Sequence, residues 1–268
     1  MSLSTILFLF LAHLGIGIVG TLVFVSREAG VKFFRFNAGL AAIVIAIALA
    51  FQTAGSTTST SDTVALAALW LSEVAIVVYW ATVGRTLVAI RPLLVAAGVG
   101  AGLLATIVQA LALVGDRGLP TEVLTVASFL SSAALLGGAC TAMILGHWYL
   151  IIPSMQVSHL QSIVKLHIAS LVVRVVVVAA AVFLAIATWE PGLGPSFRRY
   201  ITSAAGIFFW QRVLFGLAGP ALLSYLTWET AMIRSTQSAT GILYVDFFTV
   251  VVGETLATYL LLATRVPV

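Results

Sequence analysis

Charge is what this sequence lacks most. Of its 268 residues only 8% are Asp, Glu, Lys or Arg, against roughly 25% in a soluble domain, so the chain cannot coat itself with a solvated surface. Cysteine is nearly absent. The single Cys140 excludes an internal disulfide, a cysteine-ligated iron–sulfur cluster and the C-x-x-C-H attachment of c-type haem. Lysine occurs only at 32 and 165, neither of them in the middle of the last apolar run, where a retinal protein needs one.

Several motifs are missing too. No H-E-x-x-H, G-x-S-x-G or Walker-type G-x-x-x-x-G-K-[ST] is present, nor the close D-x-x-D pair that holds Mg²⁺. No catalytic motif and no metal-ligand cluster is recognisable, and no loop is long enough for a nucleotide-binding domain. The net charge of +4 and pI near 9.6 do not indicate nucleic acid, because the basic residues sit beside the ends of apolar runs, as topology signals do.

What the chain has in excess is apolar length: 61% of its residues are hydrophobic. Eight runs stand out, near 4–25, 36–53, 64–84, 92–114, 122–148, 161–188, 201–233 and 238–263. Each is long enough to cross a hydrocarbon core of ~30 Å at 1.5 Å per residue. The runs do not alternate apolar with polar, which disfavours a β-barrel. The expected fold is therefore all-α, a polytopic transmembrane bundle of about eight helices forming one integral membrane domain over 1–268. The opening MSLSTILFLFLAHLGIGIVG lacks a basic n-region and a cleavage site, so it is expected to remain as the first span. The run at 201–233 is too long for one perpendicular crossing and must tilt, kink or begin with an interfacial segment at Arg198, Arg199 and Tyr200.

Odd-numbered loops carry Arg27, Lys32, Arg35, Arg85, Arg91, Lys165 and Arg234; even-numbered loops and the termini carry Arg117, Arg198, Arg199 and Arg265. The positive-inside rule then places both termini outside the cytoplasm, in a multi-pass protein of the cell membrane. The loop QTAGSTTSTSD, polar without a basic residue, fits that orientation.

Polar groups inside spans are costly and usually face the bundle interior. Glu73, Arg174, Arg212, Glu229, Asp246 and Glu254 are such groups, with His13 and His167. The stretch LGHWYLIIPSMQVSHLQSIVKLHIASLVVR, 145–174, holds three of the four histidines and ends on an arginine among valines. Taking the span as 161–188, His167 lies ~9 Å and Arg174 ~19 Å into it, and their spacing of seven sets both on one face. Trp70, Glu73, Val77, Trp80 and Gly84 recur at three- and four-residue steps on the third span. In the seventh, Gly216 and Gly219 permit close backbone approach, and Pro220 removes the donor to the carbonyl of Gly216, so a kink is expected there.

Three uses of this set are open. His147 and His167 can be axial ligands of one b-type haem, with Arg174 on a propionate. The same pocket can hold a quinone head group between His147, His167 and Arg174, walled by Trp148 and Tyr149, with Glu229, Asp246, Glu73 and Glu254 relaying protons. Or the charges are salt bridges that hold the helices in register. The fragments SLSTILFLFLAHLG with SREAG, and VVGETLATYL near the end, are faintly similar to eight-helix quinol-oxidising anchor subunits of molybdenum-enzyme complexes; no residue role is carried over.

The resulting expectation is a membrane subunit of an electron-transfer complex, embedded in the lipid bilayer and assembled with other membrane or peripheral subunits, binding quinone with or without b-type haem. Two rivals remain: a proton-coupled secondary transporter or channel, favoured by GLAGP and the acids Glu73 and Glu254 with Arg212 as counter-ion, and a structural or assembly subunit without chemistry.

Overall fold

A computed structural model describes residues 2–52, 59–86, 88–115, 117–152, 155–189 and 196–268. Among them 88% of the chain is helical and no strand occurs. Eight helical segments among the described residues are long and apolar enough to cross a membrane. The chain is a multi-pass helical bundle.

The helices are α1 (Leu3–Leu22), α2 (Gly30–Ala50), α3 (Thr60–Thr82), α4 (Arg91–Val114), α5 (Leu119–Ile151) and α6 (Val157–Ala187). They are followed by the short α7 (Phe197–Thr202), then α8 (Ile207–Val213), a π-helical turn over Leu214–Ala218, α9 (Gly219–Met232) and α10 (Thr236–Thr264). Local chemistry sets several starts. The Ser59 hydroxyl accepts from the backbone N–H of Asp62, and Pro92 and Pro120 stand in first turns, where their missing N–H costs nothing. Most of the loop QTAGSTTSTSD lies outside the described residues.

Several spans reach beyond their apolar runs. Helix α2 begins at Gly30 rather than 36, because Lys32 is exposed, and the Arg35 guanidinium lies 5.5 Å from the Trp80 ring centroid, so neither charge interrupts the helix. Helix α6 begins at Val157, which sets His167 ~15 Å and Arg174 ~25 Å from its start, deeper than the apolar run suggests. The long seventh run resolves both ways: α7 carries Arg198, Arg199 and Tyr200 as a separate piece, and the span itself breaks register before Pro220.

Helix α5 is the hub, packing on α1, α4, α6 and α10. Its small residues make this possible. A Cβ on Gly17 would overlap the Ala133 carbonyl, and one on Gly137 would overlap the Gly17 backbone, so α1 and α5 touch main chain to main chain. Thr21 and Thr141 share a 2.6 Å hydroxyl contact across this seam. One apolar cluster draws side chains from all eight spans.

Candidate functional site

The backbones of α6 and α10 scarcely touch; both lean on α5. Long polar side chains bridge the space between them in two rungs. In the first, Arg174 grips Glu254 with two parallel bonds, Nε to Oε1 at 3.1 Å and Nη2 to Oε2 at 2.8 Å. Arg212 reaches the same carboxylate from α8, Nη2 to Oε1 at 2.9 Å. The remaining donor of Arg174, Nη1, goes to the Ser128 hydroxyl at 2.7 Å and its carbonyl at 3.1 Å, and Nη2 also meets the Val268 carbonyl at 3.4 Å. All three charged groups are at most 1% exposed.

The second rung lies seven residues back along α6 and eight back along α10. There His167 Nε2 stands 2.7 Å from Asp246 Oδ2. The distance is that of an ion pair, while the angles fall short of a directed hydrogen bond, and His167 Nδ1 and Asp246 Oδ1 find no partner among the described residues. Gly138 of α5 lies at the level of the imidazole: a Cβ there would stand in ordinary contact with His167, 3.5 Å away.

His13 of α1 flanks the first rung. Its ring is 3% exposed and meets Phe129 edge-on with centroids 4.7 Å apart, and neither ring nitrogen has a partner among the described residues. It borders a cavity of about 10 Å³, shared with Ser128, Ser132 and Arg174. That is room for the centre of one water, which would satisfy a ring nitrogen and connect His13 to the ionic cluster.

The turn Leu214–Ala218 shapes the third arm. Pro220 has no N–H to give the Gly216 carbonyl, and the helix absorbs the loss by widening to a π turn. Gly216 then lies against Gly253 of α10, where a Cβ on either residue would strike the other's backbone, and Arg212 Nη1 occupies the space that a Cβ on Gly216 would fill. Gly219 stands at ordinary contact distance from Thr249. Replacing Pro220 with alanine restores the missing donor; the expected result is a regular α-helix through 214–220 that swings Arg212 away from Glu254, lowering the unfolding temperature in detergent by several degrees.

The residues that the sequence groups around a quinone head make different contacts. The Trp148 indole donates to the Ala29 carbonyl at 3.1 Å and packs on Phe33. The Tyr149 hydroxyl donates to the Gln156 carbonyl and accepts from the backbone of Leu160. Both rings therefore fasten the end of α5 to the neighbouring turns. Every nitrogen of Arg174 bonds within the protein. His147 is exposed, with Nδ1 3.1 Å from the Tyr244 hydroxyl. It lies nine residues beyond Gly138, the level of His167, or ~13 Å along α5. The two histidines thus stand at different levels of the bundle.

Glu229 is exposed near the end of α9 and takes no part in the rungs. Glu73 is buried at 7% exposure, with Oε2 unpartnered among the described residues, but α3 packs mainly on α4 and α2, away from the rungs. The Trp70, Val77 and Trp80 stripe faces outward. What the structure joins is Arg174, Arg212, Glu254, His167, Asp246 and His13, with Ser128, Ser131 and Ser132 of α5 beside them; only these serines were passed over in the sequence. Their signal was the run SFLSS inside a span otherwise made of small apolar residues. No protein-family model matches the chain, and a search of curated proteins gives no match.

Proposed function

We propose that the protein is the membrane-embedded subunit of an electron-transfer assembly and that its own contribution is to carry protons through the two rungs between α6 and α10. The electrons, in this reading, belong to partner subunits and to a quinone dissolved in the bilayer.

The observation that supports this is the His167–Asp246 pair, an imidazole nitrogen and a carboxylate oxygen 2.7 Å apart in the core, close enough to pass a proton between them. It stands about two helical turns from the fixed Arg174–Glu254–Arg212 rung, with little solvent between to screen one from the other. Ionic glue alone would be expected to satisfy its members; among the described residues, His13, His167 and Asp246 all retain open valences.

Proteoliposomes under an imposed potassium diffusion potential, with a trapped pH dye, test the assignment. Wild-type protein is expected to admit protons, and Asp246→Asn to reduce the rate at least tenfold while inserting normally. Wild-type flux equal to that of protein-free liposomes would remove the proton-carrying role. The rival reading, a proton-coupled transporter, draws on the π turn against Gly253 as a hinge. It requires that the flux rise when a co-transported solute gradient is added, whereas the redox reading requires that it rise with quinol and the partner subunits.

A further inference from the structure

At the end of the bundle away from Arg27 and Arg91, the ends of α5, α6 and α10 part from α7 around a cleft of about 910 Å³. Its walls are Ala181, Leu184, Phe208 and Tyr259. Three threonines and Tyr200 also line it, and two of the threonines turn their hydroxyls away from the cleft. The Thr188 hydroxyl donates to Leu184 and the Thr264 hydroxyl to Leu260, each back into its own helix at 2.8 Å. The ring of Phe208 lies 5.2 Å from that of Tyr259, closing one side.

The rim has the opposite character. Arg117 precedes the first turn of α5, and Arg265 follows the last turn of α10 in a left-handed conformation, φ 61°, that turns Val266, Pro267 and Val268 back into the bundle. Both arginines are exposed, both line the cleft, and neither has an ion-pair partner among the described residues. They stand where spans begin and end, the level of lipid phosphates in a bilayer.

From an apolar slot capped by two cations at that level, we infer that the cleft holds one phospholipid, its phosphate between Arg117 and Arg265 and an acyl chain along Ala181, Leu184 and Phe208. Guanidinium groups match phosphate oxygens two bonds at a time, so a pair of arginines favours a phosphate head over a neutral amphiphile. The site is separate from the rungs and stands whether or not the proton reading holds.

The test is retention of phospholipid through detergent purification, read by native mass spectrometry and phosphorus analysis of wild type, the double variant Arg117→Gln/Arg265→Gln, and Ala185→Trp. Ala185 also lines the cleft, and the larger side chain fills it while both arginines remain. Wild type is expected to keep one phospholipid per chain after washing, and each variant to lose it at least tenfold. Equal retention by wild type and the double variant would overturn the headgroup assignment; equal retention by Ala185→Trp would overturn the acyl-chain placement. Phosphorus recovered as free phosphate without a lipid adduct, or a retained neutral quinone in place of phospholipid, would also overturn it.

Discussion

Glu254→Leu is expected to cost about 3–5 kcal/mol of stability, the range for removing one partner of a buried ionic group. The carboxylate is wholly buried and is the counter-charge of both Arg174 and Arg212, so its loss leaves two unsolvated cations facing each other. The variant should unfold many degrees below wild type in detergent. A triple variant, Arg174→Met, Arg212→Met and Glu254→Leu, removes all three charges together and is expected to recover most of the loss, because apolar replacements of a complete ionic cluster are often neutral or stabilising. The pair of measurements separates two roles. If the cluster is only mechanical, the stable triple variant keeps full proton flux; if the rungs carry protons, it folds and conducts nothing. A Glu254→Leu protein within about 1 kcal/mol of wild type would show that the cluster is not held as described.

Gly253→Val should be nearly as damaging, for a steric reason. A Cβ at 253 would overlap the Cα of Gly216, and backbone cannot swing aside as a side chain does. Helix α10 must withdraw from the π turn, taking Glu254 away from Arg212. A loss of about 3 kcal/mol is expected, at the upper end for overpacking, with proton flux impaired in whatever folds. Gly241→Val on the same helix is the control: nothing lies within 4 Å of a Cβ there, so its thermal midpoint should stay near wild type. Equal effects of the two substitutions would mean that loss of helical glycine, not the 216–253 contact, is what the assay reads.

The spans could be read from the sequence because a bilayer demands long uninterrupted apolar segments and little else supplies them. Their edges were less legible where a charge can sit on a helix and still face outward, as Lys32 does on α2. Pro220 announced a break, but that the break would be a π turn depends on Gly253, a residue of another helix. The same holds for the site. Arg174, Arg212, Glu254, His167 and Asp246 drew attention by type alone, yet Arg174 and its carboxylate are 80 residues apart and Arg212 is 42 residues from it, separations no local periodicity can pair. The contacts of Trp148 and Tyr149 were not legible, because an aromatic at a helix end looks the same in sequence whether it walls a ligand or donates to a neighbouring carbonyl.

The separation of Arg174 from Glu254 also bears on how the protein is made. A ribosome delivers α6 to the membrane before α8 and α10 exist, so Arg174 must be inserted with no carboxylate to meet it. Of the eight spans, α6 has the highest mean hydropathy, 2.7, and the seventh, which carries Arg212, has the lowest, 1.3. The valines around Arg174 offset the ~2.5–3.5 kcal/mol penalty of a lone arginine at mid-helix, so α6 can integrate alone. The seventh span has no such reserve and leans on the helix that follows it. Biosynthesis therefore has a commitment point: until α10 emerges and brings Glu254, the seventh span is only loosely held, and a chain stalled between them is a natural substrate for membrane quality control.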